Sequence, residues 1–414
     1  MSVRKRTWKT AKGEEKQAWI VDYIDGAGKR HIKSFDRKKD ADSYSATARV
    51  EVREGIHTAD SASITVGEAA KKWIETCEHG TTDQPPLERS TVEQYRQHVN
   101  LHIVPYLGRR RLSELTAPMI RDFGDRLRKG ELLSPNASPA PRSAALTKKI
   151  LTSLGSLLGD AQERGFVSRN VVRDLRKKRT RGKQRRAERR QRGKLKVGVD
   201  IPTPAEIKAI VGALQGRWRP ILLTAIFAGL RASELRGLRW ADVDLTKGEL
   251  HVRQRADRYN AIGAPKSEAG ERTVPLPPFI VNTLREWKLA CPKGPHNLVF
   301  PSGSGNVESL GNIINRGLIP AQIAAGATLA VLESDEKGAP LVRAKYTGMH
   351  ALRHFYASWC INRKADGGLE LPAKVVQERL GHSSITMTMD VYGHLFPRGD
   401  DGSELDKATR ELLA

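Results

Sequence analysis

One stretch divides this chain more sharply than any other: Arg176 to Lys196 holds thirteen lysines and arginines against a single acid, Glu188. No apolar residue recurs through it at strand or helix spacing, so it has no face to bury. Like charges at this density repel, which makes the segment an extended or conditionally helical linker and leaves the chain to fold as separate bodies on either side. Its net charge of +12 (13 − 1) is half the whole-chain surplus of +24, which comes from 71 Lys and Arg against 47 Asp and Glu. Such a surplus draws polyanions by long-range attraction and counterion release. Acidic or mixed surfaces supply solubility equally well, so nucleic acid is the expected partner. Arg181, Arg185, Arg186, Arg189 and Arg190 of the linker are expected to lie along phosphates.

A chain of 414 residues exceeds one compact domain, and the pattern predicts an α+β multidomain protein. Residues 1–60 form the first expected domain, a β-β-β-α unit. Trp19, Val21 and Tyr23 alternate with Ile20, Asp22 and Ile24 as in a strand. Asp25 to Gly28 turns the chain into a returning strand over Arg30–Phe35, and a helix over 37–53 presents Ala41, Tyr44 and Ala48 inward. Trp8 and Trp19 are expected in its core, with one face of the basic sheet turned to a DNA groove.

Residues 64–175 form a helical bundle with helices at 66–78, 90–103, 117–129 and 143–164, a turn at Pro105–Leu112 and a proline-rich loop over Glu131–Arg142. Leu146, Ile150, Leu154, Leu157 and Leu158 recur at helical spacing and should be core. Thr91, Tyr95, Arg96 and His98 lie on a polar helix that could face a groove. The linker, 176–198, follows. Residues 199–414 then read as a mainly helical domain with a small sheet: helices at 204–214, 217–228, 231–237 and 278–289, strands near 248–256, 271–276 and 298–300, and several later helices.

Cys77, Cys291 and Cys360 are odd in number and far apart, without the spacing of a zinc site, so neither disulfides nor a structural metal is expected. The start lacks the apolar core of a signal peptide, and the longest apolar stretch, around Ile221–Leu230, is too short to span a bilayer. A cytoplasmic protein without a membrane partner is expected.

Three short constellations carry chemistry. Ala228-Gly229-Leu230-Arg231-Ala232-Ser233-Glu234 ends an apolar helix at a glycine and starts the next segment with an arginine beside an acid. His350 and Arg353 stand at i, i+3 and project together from a helix. Leu380-Gly381-His382-Ser383-Ser384 precedes Tyr392, which lies ten residues after His382, and either serine can cap the helix between them. Each is weak alone.

In the order Arg231, His350-x-x-Arg353, Gly381-His382, Tyr392, these residues resemble the active site of the tyrosine recombinases, the phage integrase family. Lys266, in Pro265-Lys266-Ser267 ahead of Arg272-Thr273-Val274-Pro275, resembles the family's β-turn lysine. The match runs from Ile201 to Leu395 with all six positions in order. It implies a 3′-phosphotyrosyl intermediate, so that DNA is cut and rejoined without ATP, metal or other cofactor; the chain accordingly contains no Walker A loop and no clustered carboxylates for two metal ions.

The residue types suit that chemistry. Arg231 and Arg353 can clamp the non-bridging oxygens of a phosphodiester and stay charged. Tyr392, with an ordinary phenol pKa of about 10, needs help to lose its proton. His350 is the candidate for that base role or for a phosphate hydrogen bond. By the resemblance, Lys266 is the general acid for the leaving 5′ hydroxyl. His382 donates a hydrogen bond to the phosphate, and Glu234 orients His350 or Arg231.

The resemblance also implies roles for the front half: an arm-type DNA-binding domain in residues 1–60, and a core-binding domain in 64–175 that closes a clamp around DNA. The partners it implies are double-stranded attachment-site DNA, three further copies in a homotetramer, an excisionase and a host DNA-bending protein. The element would be a phage or other mobile element. The arm-like module weighs against a type IB topoisomerase, and the complete set of six against a catalytically inactive DNA-binding regulator. By the resemblance, the linker is longer than in many relatives, and the segment Ile319–Lys345 is longer than a minimal connection. A tail with Leu405, Ala408 and Leu412 at helical intervals could pack on a neighbouring subunit or on its own domain.

Overall fold

The computed structural model describes residues 1–9, 15–26, 28–55, 57–60, 63–131, 140–177, 194–334, 340–397 and 402–414. The chain divides into two compact units, Met1–Ala187 and Glu188–Ala414. Linker residues Arg181, Arg185, Arg186, Arg189 and Arg190 lie outside the described residues, as does most of the proline-rich loop.

The first unit opens with β1 (Ser2–Lys9), β2 (Glu15–Ile24) and β3 (Arg30–Phe35), an antiparallel sheet in the order β1-β2-β3. Helix α1 (Lys38–Arg53) covers one face, where Val21, Tyr23 and Ala41 are buried with Val3, Trp19, Phe35 and Tyr44 around them. Side chains alternate across a sheet, so Arg4, Arg6 and Trp8, with Lys16 opposite Trp8, share the other face. Trp19 is half-buried in the core as expected. Trp8 is not: it stands 40% exposed on the uncovered face.

The bundle comprises α2 (Val66–His79), α3 (Arg89–His98), α4 (Val104–Leu107), α5 (Ala117–Lys129), α6 (Ala144–Glu163) and α7 (Val171–Lys177). Thr65 and Glu68 form a reciprocal capping box at the start of α2. Ile103, Ile120, Phe123, Ile150, Leu154, Leu157 and Leu158 fill the centre, with Leu146 partly buried against them. The turn expected over Pro105–Leu112 falls in the later part of that range, at Gly108 and Arg109, after the helix has run on to Leu107. A π-helical turn over Val99–Ile103 carries the chain into α4, where Pro105 sits in the first turn and its missing N–H leaves no bond unmade.

The second unit contains α8 (Pro204–Ala213), α9 (Trp218–Ala228), α10 (Ala232–Gly237), β4 (Val243–Asp244), β5 (Glu249–Val252), β6 (Arg255–Ala256), β7 (Ile262–Gly263), β8 (Arg272–Pro275) and α11 (Pro278–Ala290). After these come α12 (Ile319–Ala324), β9 (Thr328–Ser334), β10 (Pro340–Ala344), α13 (His350–Ile361), α14 (Ala373–Leu380), α15 (Ile385–Tyr392) and α16 (Gly402–Leu413). The sheet is β4-β5-β8, with β6-β7 and β9-β10 as separate hairpins. Helix α9 is apolar apart from Arg219 and Thr224 and becomes the core, its Leu222, Leu223 and Ile226 buried with Leu250, Val274, Leu284 and Leu352.

The strand expected over 298–300 reduces to an isolated bridge between Arg239 and Leu298, with the Val299 N–H donating to the Leu238 carbonyl at 2.8 Å. The long segment over 319–345 is occupied by α12 and the β9-β10 hairpin. All three cysteines are free thiols. Among the described residues no helix is long and apolar enough to cross a membrane.

Candidate active site

The last turn of α14 ends at Gly381, whose backbone is left-handed at φ +61°. A side chain there would strike the Ala269 carbonyl and the Arg272 guanidinium, each 2.8 Å from where its Cβ would stand. A helix end leaves carbonyls without intrahelical partners and carries partial negative charge. Three arginines from three elements meet three consecutive carbonyls here. Arg272 of β8 donates through Nε to Arg379 at 2.8 Å, Arg353 of α13 donates to Leu380, and Arg231, just ahead of α10, donates through Nη2 to Gly381 at 2.8 Å. Residues up to 150 positions apart are thus gathered on one peptide turn.

Gly229 does the same work from α9. Its carbonyl accepts from Arg353 Nη1 at 2.7 Å, and its backbone turns at φ +60° against the ring of Tyr356. Arg353 is buried, 3% exposed, and desolvation followed by the charge of Arg231 lowers its pKa to about 10, which still leaves it a cation at neutral pH.

Glu234 binds the cluster together. Its carboxylate accepts from the Arg231 backbone N–H at 2.8 Å and from Arg231 Nη1 at 2.6 Å, and it pairs with Arg272 at 2.8 Å. Burial pushes this carboxyl up, but the hydrogen bond and charge of Arg272, then the charge of Arg231, outweigh it and hold the group ionised below its ordinary range. Of the two orienting roles expected for Glu234, the contacts are those with Arg231. Arg272 was given no role by sequence reasoning; its place as an inward residue at the start of β8 is the signal that could have found it.

Tyr392, at the end of α15, is 2% exposed. Burial pushes its phenol up to about 12, partly offset by the charge of Arg353. The His382 ring lies parallel to the phenol, 6.3 Å between centroids, and its Nδ1 is held by Thr388 Oγ1 at 2.9 Å. Ser384, one of the two serines expected to cap α15, accepts from the Met387 N–H. The histidine on the phenol oxygen is not the one the sequence suggested. His354 Nδ1 lies 2.7 Å from Tyr392 Oη, whereas His350 meets the His354 ring edge-on at 5.3 Å. The i, i+4 spacing from His350, which puts both rings on one side of α13, is the signal that could have shown it. Burial, then the charges of Arg353 and Arg231, lowers the His350 pKa.

Lys266 is exposed on the loop between β7 and β8, and Ala269, three residues on, packs its carbonyl on Gly381. The loop therefore runs beside the arginine cluster. Of the groove candidates on α3, His98 is buried instead, bonded through Nδ1 to Ser153 Oγ at 2.8 Å, because α6 covers that face. Tyr95 is half-buried, its ring 4.8 Å from that of Trp73; Thr91 is half-buried, and Arg96 pairs with Glu78 and Glu93.

Residues 202–398, which contain every member of this cluster, match the model of the phage integrase family, and residues 65–128 match the N-terminal SAM-like domain of phage integrases. The chain belongs to the phage integrase family. Among its relatives, a tyrosine recombinase XerC-like protein of Caldanaerobacter subterraneus is 30% identical over 225 residues, 50% of this chain and 53% of the relative. The prophage integrase IntR of Escherichia coli is 26% identical over 293 residues, 68% of this chain and 66% of the relative. The chain thus spans about half to two thirds of the length of these curated relatives. The fold is also that of solved integrases. The Tn1549 transposon integrase in complex with a circular intermediate DNA gives a TM-score of 0.57 at 18% identity over 84% of this chain and all of that one. A lambda integrase dimer bound to a COC′ core site gives 0.53 at 18% identity, over 95% and 96%.

Proposed function

We propose that this member of the phage integrase family is a site-specific DNA recombinase that cuts and rejoins attachment-site DNA through a 3′-phosphotyrosyl bond on Tyr392, integrating and excising a phage or other mobile element. The observation that carries the reading is the arginine cluster on α14: Arg231 and Arg353 are fixed by backbone carbonyls and Glu234, and the charge of Arg353 is felt at the phenol of Tyr392. Cations fixed in a desolvated setting stabilise charge that grows on a phosphoryl group, because they need not reorganise as it forms. His382 donates to the same phosphate, and Lys266 supplies the proton for the leaving 5′ oxygen.

Under this reading residues 1–60 bind arm-type sites, 64–175 bind the core site, 199–414 cut and rejoin it, and the basic linker over 176–198 adds to the affinity for DNA. Thr91, Tyr95 and Arg96 face the DNA from α3. The protein works as a homotetramer on double-stranded DNA in the cytoplasm, with an excisionase and a host bending protein setting direction. A lambda integrase tetramer bound to a Holliday junction, TM-score 0.52 at 17% identity, supplies the fold-level parallel. The tail is assigned to a neighbouring subunit: Leu412 of α16 is 84% exposed, while the side chains of Leu405 and Ala408 lie outside the described residues.

The test is incubation with a nicked duplex carrying the attachment junction, so that cleavage traps the adduct. A covalent protein–DNA band is expected from the natural chain and none from Tyr392→Phe; an equally strong band from the Phe variant overturns the assignment.

A further inference from the structure

We propose that His354 takes the phenolic proton of Tyr392 as the hydroxyl attacks the phosphodiester, making the second histidine of the His350–His354 segment, not the first, the base of the reaction. The proposal rests on the recombinase reading and adds a catalytic residue to it. Two histidines, His354 and His382, meet the phenol ring and a third, His350, meets His354, and their geometries differ. His382 lies with its ring parallel to the phenol, the planes 6° and the centroids 6.3 Å apart, and its Nδ1 is engaged by Thr388 Oγ1. His350 meets His354 edge-on, one turn earlier on α13. His354 approaches Tyr392 with planes 63° apart and Nδ1 on the hydroxyl oxygen at 2.7 Å. A base must lie within hydrogen-bond reach of the proton it removes, and this ring nitrogen does.

In the forward step Tyr392 Oη forms a bond to phosphorus while the bond from phosphorus to the 5′ oxygen breaks. The phenolic proton passes to His354 Nδ1, and the departing 5′ oxygen takes a proton from Lys266. Rejoining reverses every transfer: the 5′ hydroxyl attacks, its proton returns to Lys266, and His354 gives its proton back to the tyrosine oxygen. Nδ1 must present a lone pair to the phenol, so the resting imidazole carries its hydrogen on Nε2.

The surroundings keep it in that form. His350 and Arg353 face His354 from its own helix, Asp200 from the segment ahead of α8 and Tyr392 from α15. Burial, with His350 and Arg353, lowers the imidazole to about 4, so it is neutral and able to accept at neutral pH. An arriving phosphodiester brings negative charge beside it, which favours the imidazolium that the step creates.

The experiment uses the full chain, the nicked attachment-junction duplex, and a second duplex with sulfur at the bridging 5′ position, whose thiolate leaves without needing a proton. His354→Phe and His354→Gln should bind both duplexes like the natural chain and cleave the oxygen duplex about 10²- to 10⁴-fold more slowly. They should stay equally slow on the sulfur duplex, where Lys266→Ala regains its rate. Cleavage at the natural rate by His354→Gln, which keeps a hydrogen-bonding side chain without a basic nitrogen, overturns the proposal. So does recovery of either His354 variant on sulfur. If His354→Phe fails to fold, His354→Gln decides alone. The two readings fail separately: an adduct surviving in Tyr392→Phe sinks the recombinase assignment, whereas loss of that adduct beside unimpaired His354 variants sinks only the base.

Discussion

The uncovered face of the amino-terminal sheet and the arginine cluster at the end of α14 are both cationic, and they hold their charge in opposite ways. On the sheet Arg4 and Arg6 stand in solvent, and Arg4, its side chain 60% exposed, reaches Asp22 only at 3.4 Å. At α14 the Arg272 and Glu234 side chains are 5% and 3% exposed, and Arg353 spends two N–H groups on carbonyls of two different helices. Exposed cations can follow a ligand, contribute to affinity through released counterions and are screened by salt. Buried ones lose hydration during folding and keep one direction afterwards. The first arrangement suits affinity for a polyanion; the second suits a single fixed anion such as one phosphate.

The contrast can be broken most directly at Glu234. Glu234→Gln removes the only charge paired with buried Arg272 among the described residues, so unfolding in urea should show a loss of about 3–5 kcal/mol. A variant as stable as the natural chain would mean that burial does not constrain the cluster. Next in size is Gly229→Ala. Its new Cβ would lie 2.2 Å from the Tyr356 ring on a backbone at φ +60°, and an overpacked, strained site of this kind costs about 1–3 kcal/mol by thermal or urea unfolding. An unshifted midpoint would show that α9 and α13 have room to part.

Acid sharpens the same comparison. Burial first, then neighbouring positive groups, lowers both His354 and His382 to about 4, against about 6.5 in an unfolded chain. Their folded pKa values are depressed, so the unfolded chain binds more protons across this window, and stability present above about pH 6.5 is lost as pH falls toward about 4. Unfolding midpoints followed over that range should decline, and the decline should shrink in His354→Gln. A flat profile would contradict the burial of the rings. The smallest effect belongs to the sheet: Arg4→Ala with Arg6→Ala should leave stability within about 0.5 kcal/mol and lower the salt slope of DNA binding by about 0.9 for each phosphate no longer neutralised. An unchanged slope would remove the outer face from the DNA interface.

That Arg231, Arg353, His382 and Tyr392 are candidates for one site is legible in the chain, because their types and order suggest the chemistry, and the structure brings them together. His354 and Arg272 are not legible in the same way. Their roles depend on what stands opposite: a phenol 38 positions later, and a carbonyl 107 positions later. His98 misled for the same reason, since a polar residue on a polar helix looks exposed until α6 brings Ser153 across to satisfy it. Helix periodicity placed α2, α5, α6 and α9 well because each has a long apolar pattern. The helix expected to end at residue 103 runs on through Pro105 to Leu107, because proline is tolerated in a first helical turn after the π-turn, and the expected turn comes only then.

The Leu380 and Gly381 carbonyls have a bearing on inheritance. Both belong to the main chain, so no exchange of side chains along α14 can delete the atoms on which Arg353 and Arg231 rest. Sequence drift in that helix is tolerated as long as its last turn keeps its shape. The anchorage can be lost in two ways, through the guanidiniums themselves or through a residue at 381 that refuses the left-handed turn.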